Sequence, residues 1–417
     1  MPARMGVEEE FHVVDVESGV MVDRAGSILS RLPGKEFTAE LHRSVVESNS
    51  GVHASLEDLH TDLLRSRRLL DAAAARQGLA VAAAGTVPLG PPRPRGVTAD
   101  DRYAHMADEY RRLVDEQLIC GAQVHVDVPD RDTAVRVMCA VSPWLPVLLA
   151  LSASSPFWLG SDTGYASWRT MVWQRWPTAG PAGCFESAAE YDATLDELVR
   201  SGVISDPGMV YYDVRPSAHL GTLELRISDA CPRAETVVLL AGLFRALVTD
   251  ATARLEDGAA PCACGGGRRE WLRTATWRAA RSGLEGDLID PVTRMPAPAS
   301  AVVRDMVRRL RPALEACGDW QTVRDLAERA LADGSAAHRL RRVAHEEDLL
   351  ACVDLITAET RGGSTLGSSP APAPSAPSFV SAPLSPTMSP VALRRAARPA
   401  ARAAGPELTG LAGTVGG

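Results

Sequence analysis

Three short stretches of this chain alternate between apolar and polar residues with a period of two. They are "GVEEEFHVVD" (6–15), "QVHVDV" (123–128) and "TLELRISD" (222–229). On a strand, successive side chains face opposite sides. Glu8 and Glu10 therefore share one face, while Glu9 lies with Val7 and Phe11. Gln123, His125 and Asp127 oppose Val124, Val126 and Val128; Thr222, Glu224, Arg226 and Ser228 oppose Leu223, Leu225 and Ile227. One such stretch is an ordinary solvated strand. Three of them, each carrying carboxylate, imidazole or guanidinium groups on one side, call for an antiparallel sheet. Its apolar face needs helices, and its charged face suits a ligand.

The residue types narrow the ligand. Two carboxylates two positions apart on a strand stand roughly 7 Å from each other, a spacing suited to hard divalent cations such as Mg²⁺ or Mn²⁺. Glu8 and Glu10 are candidate metal ligands on that basis. "ELHRSVVESNSG" adds Glu47 among small polar residues. "YYDVRPS" places Tyr212, Asp213 and Arg215 just before the third stretch. "GSDTGYASWRTMVWQRWPTAGP" sets Asp162, Thr163, Ser167, Arg169 and Arg175 among four aromatic residues. An arginine stacked on an indole keeps a fork free for carboxylate or phosphate.

Composition excludes other chemistries. Of 44 basic residues only Lys35 is a lysine, in "LPGKEF", so neither a phosphate-loop lysine nor a Schiff-base lysine has a plausible site. The net charge of −8 argues against a nucleic-acid or anionic-membrane surface. Eight cysteines are scattered, only Cys262 and Cys264 lying close together. They read as reduced thiols of a cytoplasmic protein, and no apolar signal core opens the chain. The apolar run "VRVMCAVSPWLPVLLALSASSPFWLG" is long enough to span a membrane, but Pro143 and Pro146 interrupt it, so it reads as a buried, kinked helix. Ser55 with Asp58 predicts the start of a helix striped by Leu56, Leu59, Leu63 and Leu70. "LAVAAAGTVPLGPP" reads as a buried strand, residues 256–270 as a flexible loop and 301–360 as helical. Residues 363–417, with nine prolines, read as a disordered Ser/Pro/Ala/Arg-rich tail beyond a catalytic domain of residues 1–362.

In order along the chain, "GVEEEFHVVD", "ELHRSVVESNSG", "AAAGTVPLGPP", "CGAQVHVDVPDRD", "LPVLLALSASSPFWLGSDTGYASWR", "RWPTAGP", "YYDVRPS" and "TLELRISD" resemble the carboxylate–amine ligase family, also called glutamate–cysteine ligase type 2. The resemblance covers residues 5–255. It implies an α+β fold, a glutamine-synthetase-like antiparallel sheet funnel with flanking helices. It also implies ATP and two or three Mg²⁺ ions, and amide formation through an acyl phosphate. Glu8, Glu10, Glu47 and Glu224 would then hold metal, with His125 as a further ligand or a nucleotide contact. Arg226 would meet the transferring phosphoryl group, with Arg215 and Asp213 beside it in catalysis. Arg169, Gln123, His125, Tyr212 and Ser167 would contact nucleotide or substrate. A base for the amine could be Asp213 or Glu47. The expected partners are a small-molecule carboxylate, with the γ-carboxyl of glutamate favoured, and an amine. Neither nucleic acid nor membrane is expected, and homo-oligomerisation is left open. The chain departs from the family's usual "HVHVG" and "YWDVRPS…YPT": Gln123 replaces a histidine, Asp127 a glycine, and Leu220-Gly221 stand where Tyr-Pro is common. The alternative is a non-catalytic or regulatory nucleotide-binding protein on the same fold.

Overall fold

A computed structural model describes residues 2–90, 96–259 and 269–362, all within one compact unit, Met1–Ser368. Its centre is a seven-stranded antiparallel sheet. The strands are β1 (Met5–Asp15), β2 (Phe37–Ala39), β3 (Val45–Asn49), β4 (Leu79–Ala82), β5 (Ala122–Asp127), β6 (Val214–Pro216) and β7 (Thr222–Leu225). They lie in the order β2-β3-β1-β5-β7-β6, and β4 pairs with the far half of β1. All three alternating stretches are neighbours, as β1, β5 and β7. The third is strand only to Leu225.

β1 shows the predicted two-sided burial: Met5, Val7, Glu9 and Phe11 are buried, and Gly6, Glu8 and Glu10 are partly open. Behind it run the helices Leu56–Ala75 and Ala234–Glu256. The first begins as expected, with Ser55 accepting a hydrogen bond from the Asp58 amide. Leu56, Leu59, Leu63 and Leu70 are all buried. On this apolar side Glu9 meets Arg67. Arg67 Nη2 donates to Glu9 Oε1 at 2.6 Å and its Nε to Glu9 Oε2 at 3.2 Å, with both side chains out of solvent. Its remaining donors reach the carbonyls of Cys231 (2.8 Å) and Pro232 (2.5 Å). A buried ion pair is tolerable when its hydrogen bonds are complete, and this one ties β1, a helix and the loop after β7 together.

The kinked apolar segment runs as a helix (Arg131–Val141), a 3₁₀ turn (Ser142–Trp144) and a second helix (Leu145–Ser152). Among the described residues, two stretches are long and apolar enough to cross a membrane, Arg131–Ser152 and Ala234–Glu256. Their most apolar windows are 83% and 72% buried inside the protein, as core helices are. Residues 299–361 form five helices, in line with the helical reading of 301–360. Most of the 256–270 loop and the whole 363–417 segment lie outside the described residues.

The reading of the cysteines as uniformly reduced needs correction. Cys139, on the Arg131–Val141 helix, forms a disulfide with Cys184, whose Cα lies 5.1 Å away. The two are 45 residues apart in sequence, and only the packing of a loop onto that helix brings them within bonding range. The argument for a cytoplasmic setting from free thiols loses that support.

Candidate functional site

Strand register assembles the site. Glu10 pairs with Glu47 across β1 and β3, and Glu8 with Asn49 on one side and Gln123 on the other. His125 pairs with Glu224 across β5 and β7, and Arg215 with Glu224 across β6 and β7. Directly opposed residues share a face of the sheet, so the polar stripes become one surface. They line a cavity of about 220 Å³. Its carboxylate side holds Glu8, Glu10, Glu40 and Glu47, and its cationic side Arg169, Arg215 and Arg226. Tyr103, Trp173, Trp176 and Tyr211 form an aromatic wall.

Two clusters have the donors a cation needs. The side-chain ligand atoms of Glu8, His125 and Glu224 lie within 4.8 Å of one another, as do those of Glu10, Glu40 and Glu47. In the first, His125 Nδ1 hydrogen-bonds Thr222 Oγ1 at 3.0 Å. With Nδ1 as the donor, Nε2 carries a lone pair. That nitrogen is buried without a hydrogen-bond partner, 3.2 Å from Glu8 Oε1. In that tautomer a cation bound by both atoms would reconcile them; in the other, Nε2–H points its proton at the Glu8 carboxylate. In the second cluster burial and mutual repulsion both disfavour ionisation. Burial, then Glu8 and Glu10, push Glu47 up to about 7; burial, then Glu47 and Glu10, push Glu40 well above the carboxylate range. Burial also raises Glu10, against the pull of Arg169. Glu224 differs. Burial would raise it, but Arg226 and Arg215 hold it down to about 2, so it stays ionised. All-oxygen ligands with one imidazole fit Mg²⁺ or Mn²⁺.

The arginines divide into committed and available. Arg215 donates to Glu224 Oε2 (2.8 Å) and to the carbonyls of Gly208 (3.0 Å) and Val210 (2.6 Å). It orients Glu224 and has little left for substrate, contrary to the expected catalytic role. Arg226 uses Nη1 on Gln123 Oε1 (2.5 Å) and on Glu224, and its buried Nε has no partner. Arg169 uses Nη1 and Nη2 on the carbonyls of Ile227 (3.2 Å) and Arg226 (3.3 Å); its buried Nε is likewise unpartnered. Both guanidinium groups lie over the Trp173 ring, at 5.6 and 5.9 Å from its centroid, and Trp173 Nε1 is a third buried donor without a partner. Donors left idle in a buried wall suit an oxygen-rich anion.

This surface matches the glutamate–cysteine ligase family 2 (GCS2) profile over residues 4–355. The chain belongs to glutamate–cysteine ligase family 2. Proteins carrying the name glutamate–cysteine ligase 2-2 are similar to it. One from Frankia casuarinae is 55% identical over 375 residues, 88% of this chain and 43% of the relative. Another, from Mycolicibacterium smegmatis, is 50% identical over 373 residues, 89% of this chain and 93% of the relative. The chain thus spans less than half the length of the first relative and nearly all of the second. Among solved structures, the bifunctional glutathione synthetase of Pasteurella multocida aligns with a TM-score of 0.65 at 15% identity, over 86% of this chain and 52% of that one. The glutamate–cysteine ligase of Francisella tularensis, solved in complex with AMP, aligns with a TM-score of 0.64 at 10% identity, over 88% and 90%. At these identities the likeness speaks for the fold, the expected α+β architecture of this family.

Several expected site residues of this family 2 chain stand elsewhere. Ser167 caps the Trp168–Trp173 helix by accepting from the Thr170 amide and donates to Asp229 Oδ1 at 2.7 Å, so it is fully buried behind the wall. Tyr212 packs in the apolar core, and its neighbour Tyr211 faces the cavity, its ring 4.9 Å from that of Trp173. Asp213 is buried and absent from the lining; burial raises it to about 7 against the pull of Arg169. Asp127 pairs with Arg4 at the end of β5, Asp162 with Arg341, and Arg175 with Glu116, none of them in the cavity lining. Glu40 was missed. Its signal was there: Thr38 and Glu40 continue a two-residue period along β2, and Thr38 pairs with Glu47.

Proposed function

We propose that this protein is an ATP- and Mg²⁺-dependent ligase that joins a carboxylate, with the γ-carboxyl of glutamate as the favoured donor, to an amine through an acyl phosphate. The observation that carries the reading is a single cavity whose lining joins Glu8, Glu10, Glu40 and Glu47 to Arg169 and Arg226, each with an idle Nε, while His125 and Glu224 complete the first carboxylate cluster beside it. Glu8, His125 and Glu224 would hold one cation and Glu10, Glu40 and Glu47 another. Bound Mg²⁺ would offset the carboxylate repulsion and neutralise phosphate oxygens.

The chain's own residues then have these tasks. Arg226, oriented through Nη1, offers Nε to the transferring phosphoryl group, and Arg169 offers a second Nε from the same wall. A substrate carboxylate oxygen attacks the γ-phosphorus and ADP leaves. The amine then attacks the acyl carbon and phosphate leaves, its oxygens held by the same arginines. Fixed positive charge at a phosphoryl group in transit is the main catalytic resource for such a step. Arg215 keeps Glu224 in place and ionised. With Glu47 engaged as a cation ligand, the amine attacks in its neutral form and its proton passes to the departing phosphate. The aromatic wall shields the acyl phosphate from water.

The test is ADP release with Mg²⁺-ATP, glutamate and a panel of amines that includes cysteine. Turnover that needs both glutamate and an amine supports the ligase. Nucleotide binding with no turnover on any amine would instead favour a regulatory nucleotide-binding protein.

A further inference from the structure

We propose that Gln123 is a positioning residue, a neutral spacer that keeps the metal-cluster carboxylate Glu10 and the phosphate-facing Arg226 linked yet apart. This rests on the ligase reading of the same cavity. Gln123 Nε2 donates to Glu10 Oε1 at 3.0 Å, and its Oε1 accepts from Arg226 Nη1 at 2.5 Å. Arginine can only donate and a carboxylate can only accept, so the partners fix which end of the amide is which. The Gly121 amide holds the other Glu10 oxygen, Oε2, at 2.6 Å. Each oxygen of Glu10 is thus anchored by β5 and keeps lone-pair capacity toward the cavity. Arg226, restrained at Nη1, keeps Nε free.

Without the amide the two charges can pair directly, since one side-chain amide spans the gap between them. A direct pair would take the carboxylate from the cation and the guanidinium from the phosphate at once. A side chain that donates to one and accepts from the other, with no charge of its own, prevents that collapse. A neutral imidazole could do the same in only one tautomer, and an imidazolium would set a second cation against Arg226. Glutamine at this position is therefore a bridge suited to these two neighbours.

The test is a double-mutant cycle on Mn²⁺ affinity, read by electron paramagnetic resonance on the nucleotide-free full chain. Gln123→Ala should weaken Mn²⁺ binding about tenfold, and less than about twofold in the Arg226→Ala background, where the cation that Gln123 holds off is gone. An equal factor in both backgrounds, or none in either, would overturn the spacer role. Thermal unfolding checks that the variants fold. Should Gln123→Ala fail to fold, Gln123→Asn, whose amide is one methylene too short to reach both partners, replaces it in the cycle. Because the readout uses neither nucleotide nor turnover, absence of ligase activity and absence of coupling are separate results.

Discussion

The two faces of β1 put the same residue type to opposite uses. Glu9, on the back, meets Arg67 in a buried pair whose donors are all engaged. Glu10, on the front, stands in a cluster of carboxylates that burial and mutual repulsion push toward protonation. One face is settled when the chain folds. The other is left short of positive charge, and that deficit is what a cation and a nucleotide would make good. Three consecutive glutamates are thus two devices interleaved by the pleat: one fixes the register, and its neighbours do chemistry at the positions the register sets.

The largest effect that sharpens the contrast is on the front. Glu8→Gln should lower Mg²⁺-dependent ADP release by about 10³-fold while circular dichroism and melting temperature stay near wild type; Glu224→Gln should lower it as much and also lower the melting temperature, because Arg215 and Arg226 lose their buried counter-ion. Unchanged kinetics in both variants would refute the metal assignment. On the back the effect is of another kind. Glu9→Gln leaves Arg67 buried without its counter-ion and should cost about 3–5 kcal/mol in chemical denaturation, with turnover per folded molecule altered less than about threefold. If Glu9→Gln instead leaves stability intact and abolishes turnover, the assignment of faces is reversed.

A smaller effect separates the faces by pH. Glu47 is held at about 7 in the folded protein against an ordinary 4.5, so the folded state binds its proton more tightly. The stability this contributes is full below about 4.5 and is lost as pH rises through about 7. Without divalent cation the protein should therefore melt lower at pH 8 than at pH 6. Mg²⁺ affinity should rise over the same interval, because the cation competes with that proton. A melting temperature that climbs from pH 6 to 8 in chelator would contradict this. Smallest of all, Asp127→Ala removes an exposed pair with Arg4 at the edge of the sheet. It should cost less than about 1 kcal/mol and leave turnover unchanged. Deleting 363–417 should also leave turnover unchanged.

The sheet was legible because period-two alternation is a local property: Glu8, Glu10, Gln123, His125, Glu224 and Arg226 all face the side it assigned them. What escaped depends on tertiary partners. Nothing local to Arg67 shows that it meets Glu9 from a helix 58 residues away, and nothing in Cys139 points to Cys184. In "YYDVRPS" the chain enters β6 outside regular pairing, so the residue presented to the cavity is Tyr211, one before the expected Tyr212. Arg215 was expected to act on the substrate; its commitment to Glu224 and to the carbonyls of Gly208 and Val210 is a matter of strand pairing and loop geometry that composition does not reveal. Ser167 looked like a binding residue because capping and ligand contact favour the same side chain.

The most direct test of the two-faced strand is a Mn²⁺ titration, followed by electron paramagnetic resonance, of the wild type, Glu8→Gln and Glu9→Gln under conditions where all three are folded. The account predicts that Glu9→Gln binds Mn²⁺ like the wild type and that Glu8→Gln loses at least one site. Equal loss from both, or undiminished binding by Glu8→Gln, would contradict it.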